Sequence, residues 1–455
     1  MTDIRARLTP EAGAGPEPDH FPLSEHQDLL RSMDHGDGAG PFGPRYTIVG
    51  GWRVLGKLDT DILSRALLDV VERHESLRTT ITLDPDEPFQ TVHEARQPEL
   101  EIHQLDEAEA SRDDAVERFL NDIEARPYGL DQLPQLKAVL GRFDSTDHIL
   151  VLTAHHTAVD GWSVHRVMQD LATLYAARQA GRTPELPPAR QYREYVAWQR
   201  DNADSAAVLA ARAYWRETLR GSRFVGTPTD LPRSAEPFVT GWHRFLLDRE
   251  YHDGIAQLAA RTRSTPFMVL LAAYLLYLQE LTGQSDLVVA TFTPGRFPGW
   301  VQDIVGAFYN LIPLRTDLTG CTSFEDVIAR VRTTCIGAYA HEIPFHYILD
   351  EVPDLMDGAI ADHSAIAVFQ VTQSPHMMLT GADVGDLTYL AIRKRLEPAA
   401  VGSQLPDGVL WGLEFSPEGE VLGSIGYTSN VLSEQAVLTM TADFCAVLRD
   451  KVLTG

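Results

Sequence analysis

The segment His155-His156-Thr157-Ala158-Val159-Asp160-Gly161-Trp162 is the part of the sequence best equipped for chemistry. An imidazole titrates near pH 6.5, so at neutral pH it can take a proton from a hydroxyl or an amine, or hold that nucleophile in place. Asp160 follows His156 by four residues and could turn back toward it, while Gly161 permits a tight turn. The residues before the segment, His148–Ala154, form an apolar strand-like run. Those after it put Val164, Val167, Met168, Leu171, Leu174 and Tyr175 on one helical face, with Ser163 as the expected helix start. A strand end opening into a helix holds side chains rigidly yet leaves them reachable. Successive side chains on a strand face opposite ways, so a strand running through His156 sends one histidine inward and the other outward. That arrangement disfavours a His-His metal pair.

Other chemistries fit less well. Zinc would require further ligands, and there is neither an H-E-x-x-H motif nor a Cys/His cluster nearby. Gly161-Trp162-Ser163-Val164-His165 begins like the G-x-S-x-G elbow of serine hydrolases but has His where the last Gly must stand, and Ser163 suits a helix cap. A packed histidine pair followed by an Asp-Gly turn is the purely structural reading. The joint placement of two histidines, a carboxylate and a glycine at a strand end favours function.

The elements that must position this segment come from a chain of 455 residues, enough for two to four domains at about 100–200 residues each. Hydrophobic residues make up 44% and charged residues 23%, as in ordinary globular proteins. Asp and Glu (64) outnumber Lys and Arg (39), giving a formal charge of −25, which argues against sequence-independent binding to nucleic acid or anionic membranes. Cys321, Cys335 and Cys445 form no disulfide framework. The N-terminus has no apolar signal segment, and the apolar run Phe267–Leu278 is shorter than a membrane span and suits a buried helix, so a cytoplasmic location is expected. Residues 1–20 are expected to be disordered. A Pro-rich stretch at 181–190 and a long helix over 191–220 divide the rest into two α/β halves, 21–190 and 191–455, each alternating strands and helices.

The HHxxxDG pattern of residues 155–161 resembles the signature of the condensation domains of nonribosomal peptide synthetases, within the chloramphenicol-acetyltransferase-like acyltransferase superfamily. Further segments agree, in the family's order. Leu23–Gln27 resembles its opening S-x-A-Q motif, with His26 in place of the usual Ala. Arg73–Thr79 matches R-H-E-x-L-R-T. Gly295-Arg296, Val305–Asn310 and Pro313–Arg315 resemble the G-R, V-G-x-F-x-N and L-R block, and His341–Phe345 resembles H-x-x-x-P-F.

The resemblance implies mixed α/β sheets in two acetyltransferase-like subdomains set as a V. A tunnel between them admits the phosphopantetheine arms of carrier proteins. It implies acyl or aminoacyl transfer from a carrier-protein thioester to an amine or alcohol, giving an amide or ester, with no cofactor or metal held by the enzyme itself. Rival readings are an acyl-CoA-dependent acyltransferase, a silent recruitment module and an epimerase. His156 is the implied catalytic residue and His155 the packed one. Asp160 pairs with Arg78 in the family, which makes both structural. Gly161 leaves room for a pantetheine arm or takes a positive φ, and Asn310 and Arg296 are candidates for the substrate channel. The sequence has neither a G-G-x-S carrier-protein motif nor an adenylation loop, so the expectation is a monomeric, free-standing enzyme meeting its carrier protein in trans, or else a domain excised from a larger synthetase. Carrier proteins are commonly acidic, so a local Arg-rich patch should surround the donor entrance against the −25 background.

Overall fold

The computed structural model describes residues 19–454, except 35, 37, 39, 85, 106–110, 234–237, 298, 358–362, 373–379 and 406–407. The disorder expected at the N-terminus therefore falls outside the described residues up to 18, while Asp19 and His20 open a short strand, Asp19–Pro22.

Two large mixed sheets organise the chain. The first runs in the order Thr380–Val384, Leu387–Ala391, Thr47–Leu55, Asp147–His155, Lys137–Arg142, Leu100–Gln104. The second runs Asn310–Asp317, Asp286–Thr293, Ser364–Thr372, Val409–Phe415, Val421–Thr428, Thr240–Leu247, with Gly226–Pro228 paired to Ser364–Thr372. A three-stranded sheet, Asp19–Pro22, Phe89–Val92 and Thr79–Thr82, stands beside them. Each large sheet is the floor of its own core, which gives the expected two-lobed α/β architecture.

In the first lobe, Leu63, Ala66, Leu67 and Val70 of the helix Thr60–Arg73 are all buried, as their i, i+3, i+4, i+7 spacing requires. That helix packs with Gly161–Gln179 on one face of the sheet, and Arg112–Glu124 covers the other. In the second lobe the apolar helix Pro266–Thr282 is buried along most of its length. Among the described residues no single helix is long and apolar enough to cross a membrane; only the bent pair Arg249–Thr262 and Pro266–Thr282 passes by length and composition.

Two features differ from expectation. The helix expected over 191–220 is two helices, Tyr192–Asp201 and Ala206–Thr218, because Ser205 caps the second through Val208 N. The sheets also do not divide at one point in the chain. Leu387–Ala391 crosses back to pair antiparallel with Thr47–Leu55 in the first lobe, with Tyr389 opposite Val54. The buried Glu124 of the first lobe reinforces this crossing by binding Arg395 (2.7 Å) and Arg244 (3.5 Å).

One register matters most for the site. Thr47–Leu55 and Asp147–His155 are antiparallel, with Thr47 opposite His155. Tyr46 and His156 therefore lie next to each other just past the sheet edge, and His156 N donates to Tyr46 O at 2.8 Å.

Candidate functional site

The strand ends at His155, and His156 begins the turn that leads into the helix Gly161–Gln179. His155 is fully buried. Its Nε2 donates to Gly43 O (3.1 Å), and its Nδ1 faces Thr157 Oγ1 (2.7 Å). Desolvation lowers its pKa to about 4, the Gly43 carbonyl opposing and His156 adding to the shift, so it stays neutral and structural.

His156 is partly exposed. Its Nδ1 lies 2.9 Å from Val159 O. A carbonyl only accepts, so Nδ1 carries the proton and Nε2 keeps a bare lone pair. Burial lowers the His156 pKa, while the Val159 carbonyl and the Asp160 charge pull it partly back. At neutral pH the ring is uncharged, in the tautomer whose Nε2 can accept a proton.

Asp160, not Ser163, caps the following helix, its Oδ1 accepting from Ser163 N at 2.7 Å. Its ion-pair partner is also not the expected one. Arg296, from the second lobe, places its Nη2 2.8 and 3.0 Å from the two Asp160 oxygens and 2.8 Å from Ser163 Oγ. Its Nη1 donates to Val301 O and Ile304 O (3.0 and 2.8 Å). Phe308 N donates to Asp160 Oδ2 (3.2 Å), and Ser163 Oγ bonds both Gly306 N and Gly306 O. Arg78 instead donates to His93 O at 2.5 Å. Arg296 is 2% exposed, so it ties the lobes together and does not line a channel. Gly295 makes this possible with φ +61°. An added Cβ there would meet Phe308 O at 1.8 Å.

The other motif segments support the same loop. Ser24 and Gln27 form a capping box on the helix Glu25–Ser32, and Gln27 Nε2 also donates to Thr157 O within the histidine segment (3.1 Å). Arg73 and His74 both bind Asp170, in the helix that starts at Gly161 (2.8 Å each). Trp162 reaches the second lobe through Nε1 to Gln302 O (2.9 Å). Gly161 does not have the positive φ considered for it, and an added Cβ would meet only Ile48 Cδ1, at 3.8 Å.

A cavity of about 140 Å³ lies behind the Tyr309 ring that faces His156, lined among others by His26, Leu29, Trp198, Phe308, Tyr309, Asn310, Glu342 and Tyr347. Asn310 does line it, and also fixes its wall by donating to Ile343 O (2.8 Å) and accepting from Phe345 N (3.1 Å). Burial raises the Glu342 pKa, with Thr293 and Asn310 hydrogen bonds opposing. Tyr309 and His26 stand between the cavity and the catalytic candidate: the His26 and Tyr309 rings are 3.9 Å apart, and those of Tyr309 and His156 4.5 Å. Tyr46 stacks on His156 from another side at 5.1 Å. Sequence reasoning flagged His26 as a departure but gave no sign of Tyr46 or Tyr309. Among the described residues no three His, Cys, Asp or Glu side chains gather as a metal set.

Breaking one side of the buried Asp160–Arg296 pair should be costly. Asp160→Ala and Arg296→Ala should each lose about 3–5 kcal/mol in denaturant unfolding, and the double variant less than the sum of the two. The buried histidines set an acid limit. His26 and His155 titrate at about 3 and about 4 when folded, against an ordinary 6.5, both mainly through desolvation. The unfolded chain therefore binds more protons below pH 6.5, and stability complete above 6.5 is lost as pH falls toward 4. Thermal melts across pH 7.5 to 4 should show this decline; a midpoint independent of pH over that range would contradict it.

Comparison with known proteins bears on the family and the fold. The Condensation domain family model matches residues 45–371. A linear gramicidin synthase of Brevibacillus parabrevis is 34% identical over 394 residues, covering 86% of this chain, which spans 5% of that protein's length. Among solved structures, SgcC5 from Streptomyces globisporus matches with TM-score 0.91 at 41% identity, over 95% of this chain and 98% of that one. The first condensation domain of the calcium-dependent antibiotic synthetase matches at 20% identity and TM-score 0.75, over 95% and 97%, and shares the two-lobed fold. The chain belongs to the condensation-domain family.

Proposed function

We propose that this protein transfers an acyl or aminoacyl group from the phosphopantetheine thioester of a carrier protein to an alcohol acceptor, forming an ester in natural-product biosynthesis. The observation that carries this reading is the tautomer of His156: Nδ1–H is held by Val159 O and Nε2 is left bare. In this reading the half 21–190 supplies the base and, through Glu25, His26 and Leu29, part of the cavity wall, and the half 191–455 the rest of that wall. The acceptor hydroxyl gives its proton to Nε2 as its oxygen attacks the thioester carbonyl. The thiolate then leaves and takes that proton back, so no covalent enzyme intermediate is needed. The space over Gly161 suits the pantetheine arm.

The alcohol is favoured over an amine by the cavity and by one relative. SgcC5 is described in complex with (R)-(−)-1-(2-naphthyl)-1,2-ethanediol, a diol on a fused aromatic ring. Here the cavity presents Trp198, Phe297, Phe308, Phe345 and Tyr347 around the polar Asn310 and Glu342. Those faces suit a flat aromatic group, with the Glu342 carboxyl among them for its hydroxyls.

Mass spectrometry of an acyl-loaded carrier protein mixed with enzyme and paired aryl diol and aryl amine acceptors should show the ester as the main product. His156→Ala should lower the rate about 10²–10⁴-fold. Transfer from acyl-CoA as fast as from the carrier protein would point to the coenzyme-dependent class. Transfer to neither acceptor by wild type, or none lost in His156→Ala, would sink the reading. The pH profile has a defined sign. Protonated His156 cannot act as base, and burial lowers its pKa from 6.5, so the acid limb of the rate should be centred below pH 6.5. An acid limb centred above 6.5 would be inconsistent with this base.

A further inference from the structure

Attack on a thioester places negative charge on the carbonyl oxygen, and a donor must be waiting for it. Many donors around His156 are already committed. His156 N serves Tyr46 O, Ser163 N and Phe308 N serve Asp160, and Gly306 N serves Ser163 Oγ. Trp162 Nε1 serves Gln302 O, and Asn310 Nδ2 serves Ile343 O.

Two phenols differ. Tyr46, at the edge of the first lobe, and Tyr309, in the second, hydrogen-bond to each other through their hydroxyls across the lobe boundary. Both rings lie against His156, at 5.1 and 4.5 Å between centroids, and Tyr309 also lines the cavity. The pair carries two O–H protons, and the bond between them uses one. Neither hydroxyl bonds any other described residue, so one O–H is left to donate outward. Donation from one phenol polarises the other and strengthens its remaining O–H as a donor. Burial pushes both phenols above their ordinary pKa, which keeps both protons in place at neutral pH.

We propose that the Tyr46–Tyr309 pair is a catalytic oxyanion donor, its free O–H stabilising the tetrahedral intermediate formed next to His156. This rests on the acyl-transfer reading above. The acceptor oxygen bonds to the carbonyl carbon and its proton passes to His156 Nε2. The carbonyl π electrons move to the oxygen, which accepts the phenol O–H. On collapse the C=O re-forms, the C–S bond breaks, and the leaving thiolate takes the proton from Nε2. The products are an ester and a free phosphopantetheine thiol.

Tyr46→Phe and Tyr309→Phe keep the rings and remove only the hydroxyls. The variant lacking the outward donor should lose about 10²–10³ in kcat with little change in KM. The other single variant should lose less, and the double variant should be no slower than the worse single one. A phosphonate mimic of the tetrahedral intermediate should lose affinity by the same factor as kcat, while a non-reactive thioether analogue of the donor binds unchanged, an outcome that a merely structural role would not give. Wild-type rates in both Phe variants would overturn the inference and place the oxyanion elsewhere, for example on the N–H groups that open the helix at Gly161. Equal weakening of the two analogues would overturn it as well. If wild type transfers acyl groups and His156→Ala does not, while both Phe variants match wild type, only this inference fails. If wild type transfers nothing, the acyl-transfer reading falls and takes this with it.

Discussion

The structure turns on one buried ion pair. Asp160 and Arg296 come from different lobes and lie 2.8 Å apart, each almost fully buried. A charge removed from water must be nearly fully satisfied to be tolerated, and this one is. Asp160 receives Arg296, Ser163 N and Phe308 N, and Arg296 also serves two carbonyls and the Ser163 hydroxyl. Because Asp160 is at once the helix cap and the end of the histidine turn, fixing it fixes Val159, whose carbonyl sets the tautomer of His156. The histidine turn of the first lobe is thus tied to the second.

Much of this was legible in the sequence, in a particular way. The amphipathic stripe of Thr60–Arg73, the buried helix from Pro266 and the strand leading into the histidines follow from local periodicity, which one segment carries by itself. The packed role of His155 follows from alternation along a strand. What failed was distance in space. Arg78 and Arg296 are chemically equal partners for Asp160, and only the fold brings the second within reach while turning the first toward His93 O. Tyr46 and Tyr309 had no signal for the same reason. Each is an ordinary residue of its own segment, and their meeting depends on the docking of two lobes. The crossing strand Leu387–Ala391 is short, and its partner belongs to the other end of the chain, so no local pattern announces it.

The net charge takes on another meaning beside this site. A protein of charge −25 would be expected to favour protonated imidazole, yet His26, His155 and His156 all have lowered pKa values. Magnitudes decide between the two effects. Surface charges are screened beyond about 8–10 Å at ordinary salt, whereas burial can move a pKa by up to about 3–5 units. Many of the arginines that could offset the acidic surface are committed to pairs, such as Arg53 with Asp147 and Arg178 with Asp69. The field that a ligand meets near His156 is therefore set by a few buried groups and not by the chain's total.

Asp160 is the carboxylate whose charge acts on the His156 ring, and here its structural and electrostatic roles meet. An unshared carboxylate so close to His156 would hold the imidazole protonated and useless as a base. Asp160 shares its charge with Arg296 and two backbone N–H groups, and at the ring desolvation outweighs its pull. The contact that joins the lobes thus also favours the neutral form of His156. In this fold the carboxylate beside His156 is matched by a cation that the second lobe supplies.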